Sequence, residues 1–374
     1  MRQYFPIFDN AVFLNFAGVA PVSIPVRDAV IRWTEIGSKS DFDYNQLISD
    51  AKYLYSKLLN GSINGFFFTR NTTSGLQIFI QNFPWRSGDS VVISDCEFPA
   101  NRLPWLGLKN QGVDVRVLKT KNMKISLEEF ISLCDETTKA VSVSFVQYLS
   151  GQRIDLMTLG KFCREKNIML VVDAIQGLGV VPIDVEEAGI DWLSADGHKW
   201  LCGPEGAGIG WASQRAMEIV KPKSSGWLAQ KNPFNFEQFD CDLALDANMY
   251  LDGSINVIGI MALNAAIKML LDIGIEVIYK KVLSLTDYAI NIIKQRDFLL
   301  LTPERELDRA GIVTFKSKND PIIDFETLKR QNIICSLRGG YLRISPHFVN
   351  VEGDIDQVFE VIINGLKGRV SDPF

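Results

Sequence analysis

The chain has 374 residues with a formal net charge of −5, and 47% of its residues are hydrophobic while 22% are charged. Its length exceeds what one hydrophobic core usually serves, so we expect two domains, and its ordinary composition excludes a disordered chain. The acidic balance, without a run of Lys or Arg, argues against nucleic acid or an anionic membrane as a partner and favours a small-molecule substrate.

The cysteines and histidines restrict the chemistry further. Six cysteines are scattered without CxxC pairs, as expected for reduced thiols in a cytoplasmic protein. The two histidines, His198 and His347, make a zinc site improbable, so no metal is expected. Residues 1–10 lack a secretory signal, and the apolar stretch 256–278 is interrupted by polar residues, which predicts a buried helix. We therefore expect a cytoplasmic protein.

From about residue 62 to residue 213, short β-rich runs alternate with helical stretches, which predicts a mostly parallel sheet with helices on both faces. The strands are expected at 90–94, 113–118, 140–146, 169–173, 192–195 and 207–211, and helices at 75–82, 127–134 and 156–165. Two helical patterns follow at 257–271 and 275–295, and the rest of the chain alternates strand, helix, strand, helix. The fold class is thus α/β, with a small α+β domain at the C-terminus.

The expected domain organisation has four parts. An N-terminal segment (1–20) joins the small domain, and residues 21–255 form the large domain. A connecting helix (256–273) leads to the small C-terminal domain (274–374). The boundary near Gly274 is the least sharply defined.

Thr72 and Thr73 precede the apolar helix that begins near Gly75. Free N–H groups and two hydroxyls at a helix N-terminus form an anion site that suits a phosphate. A plain helix cap is the alternative.

Asp173 ends the apolar run 168–173, at the sheet edge where ligands of parallel α/β sheets bind. There a carboxylate can keep a pyridine nitrogen protonated, and Gln176 can donate to a phenolic oxygen. A strand-terminal Asp that caps the next helix is an equally good explanation.

Lys199 lies between a predicted strand and a glycine-rich run, where a desolvated amine can lose its proton and attack a carbonyl. It follows Asp173 by 26 positions, which leaves room for one crossover and one strand, so both groups can reach one crevice. His198 can add a donor. The alternatives are a surface lysine in a glycine-rich turn and a histidine that only packs.

Arg343, on a predicted strand of the small domain, can clamp a substrate carboxylate. Arg338 could equally form a structural ion pair, and either arginine could simply be solvated. An aldehyde-reactive amine, a carboxylate for a pyridine nitrogen and a phosphate site are together what pyridoxal 5′-phosphate (PLP) requires.

Several segments resemble the class V aminotransferase family, PLP enzymes of fold type I that include cysteine desulfurases, kynureninase and isopenicillin N epimerase-like proteins. They are LNFAGVAP (14–21), RNTT (70–73), EFPANRLPW (97–105), VDAIQG (172–177), GHKWLCGPEG (197–206) and SLRGGYLRISPHF (336–348). The last looks most like the epimerase-like branch. The resemblance implies the PLP-dependent transferase fold, with residues 21–255 as the PLP-binding domain.

The resemblance also implies roles for individual residues. Lys199 would be the Schiff-base lysine, Asp173 the pyridinium partner, Gln176 the donor to the phenolic oxygen, Thr72, Thr73 and His198 the phosphate ligands, and Arg343 the substrate-carboxylate ligand. Family members form homodimers with shared active sites, and Ser254 would reach the phosphate bound by the other subunit.

The sequence also departs from its desulfurase-like relatives. Phe98 stands where they often stack a histidine on the cofactor ring, and Asp196 replaces a phosphate-binding serine. The stretch from Arg338 to Arg343 is too short for a mobile cysteine loop, and Cys335 lies in a strand pattern, which disfavours a persulfide-forming desulfurase.

Three aromatic side chains, Tyr148, Trp105 and Trp227, are candidates for the substrate pocket, although each is equally credible as core.

The predicted function is a PLP-dependent reaction on an amino acid or amino-acid-like substrate, through a Schiff base on Lys199 and a quinonoid. The branch resemblance favours lyase or epimerase chemistry, with transamination as the alternative. A non-catalytic PLP-binding scaffold is the alternative from another class. A dinucleotide dehydrogenase is disfavoured because no G-x-G-x-x-G follows the first strand.

Overall fold

A computed structural model of the protein describes residues 1–39, 42–237 and 239–370. The helices are α1 (Ile24–Gly37), α2 (Tyr44–Leu59), α3 (Thr72–Asn82), α4 (Leu103–Leu106), α5 (Leu127–Ser132), α6 (Leu156–Glu165), α7 (Gln214–Ile219), α8 (Val257–Ile273), α9 (Ile275–Gln295), α10 (Pro321–Arg330) and α11 (Glu352–Val370). The strands are β1 (Val12–Phe13), β2 (Phe66–Thr69), β3 (Ser90–Ser94), β4 (Asp114–Leu118), β5 (Thr138–Ser144), β6 (Met169–Asp173), β7 (Trp192–Asp196), β8 (Gly208–Ala212), β9 (Leu299–Leu300), β10 (Val313–Lys316), β11 (Ile333–Ile334), β12 (Ser336–Arg338) and β13 (Tyr341–Ile344).

The large domain is built on a seven-stranded sheet in the order β2-β8-β7-β6-β5-β3-β4. Strand β8 alone runs opposite to the other six strands of this sheet, so the predicted mostly parallel sheet is confirmed. The predicted strands at 90–94 and 169–173 and the helix at 156–165 have the observed bounds. The edge strand β2 was not predicted, because its short apolar run has no alternation that distinguishes a strand from a helix.

The neighbouring elements α6 and β6 show why these residues fold as they do. Asp155 caps α6 by accepting a hydrogen bond from the Thr158 N–H, and the buried positions of α6 recur with helical spacing. Gly160 allows the helix to approach the backbone of Ala188, where any Cβ would collide with the carbonyl oxygen. Every residue of β6 is buried, as expected for a central strand covered on both faces. This packing fixes Asp173, the last residue of β6.

The small domain is a four-stranded antiparallel sheet in the order β12-β13-β10-β9, against which α9, α10 and α11 pack. The N-terminal strand β1 pairs in parallel with β11, and Asn15 bridges to Ser345. These pairings bring the N-terminal segment against the small domain. The boundaries proposed from the sequence stay predictions.

Helices α8 and α9 meet at Gly274, which has a φ of +93°. No helix of the described residues is by itself both long and apolar enough to cross a bilayer, although these two meet that test jointly across a bend of 79°. Eight of the 17 residues of α8 are buried, but the single buried helix expected over residues 256–278 is interrupted at Gly274, where α8 ends and α9 begins.

Candidate active site

A cavity of about 410 Å³ lies at the carboxyl ends of β6 and β7, where the N-terminus of α3 and the hairpin of β12 and β13 meet. Nine of the ten site residues predicted from the sequence line it, namely Thr72, Thr73, Phe98, Tyr148, Asp173, Gln176, His198, Lys199 and Arg343. Residues at this edge of a parallel sheet come from separate loops, so their convergence requires the whole fold.

Lys199 follows β7 by three residues, and its Nζ lies 5.6 Å from the centroid of the Phe98 ring. Burial, opposed by the charge of Asp173 and assisted by that of Arg343, lowers the pKa of this amine to about 8. The amine forms no hydrogen bond or ion pair with any described residue. Lys199 is therefore more often neutral, and more nucleophilic, than an exposed lysine.

Asp173 presents a buried carboxylate to the same cavity. Its Oδ1 accepts a hydrogen bond of 3.1 Å from the Ile175 N–H, and within the described residues the carboxylate has no other hydrogen-bond partner. Burial raises the pKa of Asp173 to about 7, and the charge of Glu97 adds to the rise. A buried carboxylate with free acceptor capacity suits a protonated ring nitrogen as its partner.

This raised pKa gives the cofactor-free protein a specific pH dependence. Between about pH 4 and about pH 7 the folded state holds a proton on Asp173 that the unfolded state releases, so the free energy of unfolding should fall as pH rises through this window. Urea unfolding of the wild type and of Asp173→Asn across that range measures the effect. We expect a shallower decline in the variant, and identical slopes for the two proteins would contradict this account.

The N-terminus of α3 faces the cavity. The Asn71 side chain accepts a hydrogen bond from the Ser74 N–H, and the Ser74 hydroxyl oxygen accepts one from the Asn71 N–H. The two hydrogen bonds form a capping box. The backbone N–H groups of Thr72 and Thr73 have no partner among the described residues. The Thr72 hydroxyl oxygen accepts a 3.1 Å hydrogen bond from the Asp196 N–H and joins this helix to the end of β7. Two free N–H groups at a helix N-terminus form an anion site.

His198 and Asp196 adjoin this anion site. The Nδ1 atom of His198 lies 3.0 Å from Oδ2 of Asp196, while Oδ1 of Asp196 accepts from the Gly197 N–H. The Asp196 carboxylate is thus engaged with its own loop, while the Nδ1 atom of His198 has no hydrogen-bond partner among the described residues.

Gln176 is held by two distant parts of the chain. Its Nε2 donates to the Ala17 carbonyl at 3.1 Å, and its Oε1 accepts from the Trp200 Nε1 at 2.8 Å. One N–H of the amide remains for a ligand. The two contacts fix the orientation of the amide and leave this N–H as its unused donor.

Arg343 is buried at the cavity wall. Its Nη1 donates to the Tyr148 carbonyl at 2.6 Å and its Nη2 to the Ser336 hydroxyl at 3.2 Å, while Nε has no partner. No described carboxylate pairs with it. Burial lowers the pKa of Arg343 to about 10, which still leaves the side chain charged at neutral pH. A buried guanidinium without a counterion is a binding site for an anion.

Sequence reasoning missed a buried carboxylate beside the predicted stacking residue. Glu97 accepts hydrogen bonds from the Ser144 N–H and hydroxyl, from the Gln147 amide and from the Asn101 amide. Burial raises its pKa despite these donors. The network ties the segment before Phe98 to the end of β5. Its only signal in the sequence is a charged residue between Cys96 and Phe98.

Other predicted or missed residues lie as follows. Ser254 lines a different cavity of about 450 Å³, together with Arg70 and Ser74. Trp105 is fully buried and donates to Asn101, so the suggestion that it lines the pocket is wrong. Trp227 is 40% exposed and packs against phenylalanines outside the Lys199 cavity.

The N-terminal segment was missed as a part of the cavity wall. Residues 17–19 line the cavity, together with Asn15, which follows β1 by two positions. A polar residue just after a strand was the available signal.

The sequence of the chain matches the family model described as aminotransferase class-V over residues 36–351. The chain belongs to the class V aminotransferase family. A probable cysteine desulfurase of Methanothermobacter thermautotrophicus is 26% identical to it, with 97% of this chain and 96% of the relative covered. An uncharacterized aminotransferase of Bacillus subtilis is 24% identical, with 96% of each chain covered.

Solved structures show the same fold. The apo structure of cysteine desulfurase from Thermococcus onnurineus NA1 has a TM-score of 0.87 at 18% identity, with 98% of this chain and 97% of that chain covered. A C-DES mutant with glycine covalently linked to the PLP cofactor has a TM-score of 0.89 at 20% identity, with 96% of this chain and 98% of that chain covered. The predicted α/β fold of fold type I is confirmed.

Class V aminotransferases are PLP enzymes, so family membership confirms the predicted cofactor. The cavity fits this group at each end. It offers an amine of lowered pKa at Lys199, a buried carboxylate with free acceptor capacity at Asp173, and two unpartnered N–H groups at the start of α3. The partly exposed Phe98 ring provides an apolar face beside the amine.

Proposed function

We propose that this class V enzyme is a PLP-dependent lyase that acts on an amino acid. The observation that carries the proposal is that one cavity holds the Lys199 amine, the buried Asp173 carboxylate and the buried, counterion-free Arg343. PLP, when bound, supplies an electron sink for the bond that breaks at Cα. The chain must then orient the substrate and move its proton.

Each residue has a defined task in this proposal. Arg343 binds the substrate carboxylate through its free Nε–H and orients Cα. Lys199, whose neutral form is favoured by burial, removes the proton from Cα. Asp173 keeps a positive charge on the ring nitrogen through its free carboxylate oxygen.

The other cavity residues hold the cofactor. The N–H groups of Thr72 and Thr73 bind the phosphate, and the His198 imidazole, which lines the same cavity, contributes a further donor. The Phe98 ring covers one face, and Gln176 donates its remaining N–H to the phenolic oxygen. Tyr148, in edge-to-face contact with Phe98 at 5.2 Å, borders the substrate side.

The relatives support a lyase among the reactions that this machinery permits. A structure with a TM-score of 0.87 is the cystine C–S lyase C-DES in complex with cysteine persulfide, and several relatives are named probable cysteine desulfurases. Epimerization gains no support from the relatives named here and stays a prediction. Transamination also stays an alternative, since one relative is named an aminotransferase.

A persulfide on a cysteine of the cavity is not part of the proposal. No cysteine is among the residues that line the Lys199 cavity within the described chain. Cys335 is buried between β11 and β12, and burial raises the pKa of its thiol to about 12. We therefore propose that the leaving group departs directly, without attack by a cysteine.

The proposal includes a cytoplasmic homodimer. Ser254 lies in a cavity of its own beside the N-terminal part of α3, outside the Lys199 cavity of the same chain. A second subunit would bring this serine to the phosphate of its partner. Sedimentation of the holoenzyme tests the dimer.

Incubation of the purified holoenzyme with a panel of amino acids tests the function. We expect one class of substrate to release its side-chain group together with ammonia and a keto acid, in amounts far above that of the enzyme. The Lys199→Ala variant is the control. An inverted amino acid would indicate epimerization, and a keto acid equal in amount to the enzyme, without ammonia, would indicate transamination.

A further inference from the structure

A second arginine, Arg338, lies at the cavity wall beside Arg343. In the hairpin of β12 and β13, Arg338 pairs with Tyr341 and Ser336 pairs with Arg343. Paired residues of an antiparallel ladder point to the same face, so the two arginines are diagonal neighbours on one face, with their Cα atoms about 7–8 Å apart. Both side chains line the Lys199 cavity.

The hairpin holds this spacing rigidly. Its turn consists of Gly339 and Gly340, with φ values of +54° and +74°. Positive φ at both central residues is the signature of the tight two-residue turn that matches the twist of the flanking strands, and glycine adopts it without strain. The backbone separation of the two arginines is therefore set by a tight turn rather than by a mobile loop.

The two arginines lack counterions among the residues that the structure describes. Arg338 forms no hydrogen bond or ion pair with any described residue, and no described carboxylate pairs with Arg343. The carboxylates that line the cavity are Asp173 and Asp196, and neither lies within ion-pair distance of either arginine. Two like charges held side by side are unfavourable unless a ligand neutralises both.

We propose that Arg338 binds a second anionic group of the substrate, so that the preferred substrates are amino acids whose side chain carries a carboxylate. The inference rests on the proposed function, in which Arg343 binds the α-carboxylate. Arg338 is exposed, in contrast to Arg343, which places it at the open side of the cavity where the end of a side chain would lie. A monoanionic amino acid leaves this charge unneutralised.

Binding to the holoenzyme tests the inference with ligands that cannot react, because they have no amino group. Calorimetry at fixed ionic strength compares succinate with its monoanionic analogue succinamate, for the wild type and for Arg338→Gln. We expect the wild type to bind succinate at least about 10-fold more tightly, as a charge-assisted hydrogen bond at a partly desolvated site provides. In Arg338→Gln this preference should shrink to about 2-fold or less, with little change for succinamate.

Arg305→Gln is the matched control, because Arg305 is a 75% exposed arginine of the same domain outside the cavity. It should leave both dissociation constants unchanged. Equal binding of succinate and succinamate by the wild type, or equal weakening of both by Arg338→Gln, overturns the inference.

Failure of this inference and failure of the proposed function give different results. If the amino-acid panel yields a lyase product that depends on Lys199 but the substrate is monoanionic, the proposed role of Arg338 is contradicted and the proposed function is supported. If no product forms while succinate still binds through Arg338, the anion subsite is supported and the proposed function is contradicted.

Discussion

The Lys199→Ala variant is expected to lose about 10⁴-fold or more in kcat, because the same amine holds the cofactor and moves the Cα proton. Alanine removes both functions, while the anion site at the start of α3 and the Asp173 carboxylate remain. The variant should therefore still bind PLP, but without a covalent bond. Steady-state kinetics on the substrate found in the amino-acid panel, together with the absorption spectrum of the bound cofactor, measure both effects.

The control for this variant is Lys221→Ala, since Lys221 is an exposed lysine that does not line the cavity. It should retain wild-type kcat. Thermal unfolding checks that Lys199→Ala is folded. More than about 1% of wild-type activity in the folded Lys199→Ala protein would be incompatible with a proton-transfer role for this amine.

The second large effect is expected for Arg343→Gln, which should lower kcat/KM by about 10²–10³-fold. The variant removes the buried positive charge that binds the substrate carboxylate, and glutamine can keep part of the contact with Tyr148 or Ser336. Much of the loss should appear in KM, because the carboxylate is already present in the ground state. Steady-state kinetics with substrate concentrations well above the wild-type KM separate the two parameters.

Comparison with Arg338→Gln makes this prediction selective. Arg343→Gln should weaken succinate and succinamate alike, since every ligand of the site offers one carboxylate to Arg343, whereas Arg338→Gln should weaken only the dianion. Unchanged kcat/KM in Arg343→Gln would show that this arginine does not bind the substrate carboxylate.

The sequence was most informative where chemistry coincides with a local pattern. Asp173 ends an apolar run and Lys199 lies between a strand and a glycine-rich loop, so their position at the ligand edge followed from the order of elements alone. Thr72 and Thr73 were placed at a helix N-terminus for the same reason. These local patterns predict the positions of the residues because each pattern depends only on neighbours in the chain.

Features that depend on distant parts of the chain could not be predicted. The orientation of Gln176 is set by Ala17 and Trp200, which are far from it in sequence. The donors to Glu97 come mainly from the end of β5, some fifty residues away, and no periodic pattern in the sequence predicts these contacts. Such contacts are products of the tertiary fold.

The direction of β8 is a further example. Its residues were correctly expected to form a strand, yet composition says nothing about strand direction. The short glycine-rich connection from β7 to β8 is what returns the chain antiparallel, because a parallel neighbour needs a longer crossover. The same connection carries Lys199, so the departure from a parallel sheet lies next to the proposed catalytic amine.

The most direct test of the account is to find which amine carries the cofactor. The holoenzyme is treated with borohydride, which reduces a carbon–nitrogen double bond to a stable single bond, and is then digested and mapped by mass spectrometry. The account predicts one cofactor-bearing peptide, modified at Lys199. Modification at another lysine, or no modification in protein saturated with PLP, would contradict it.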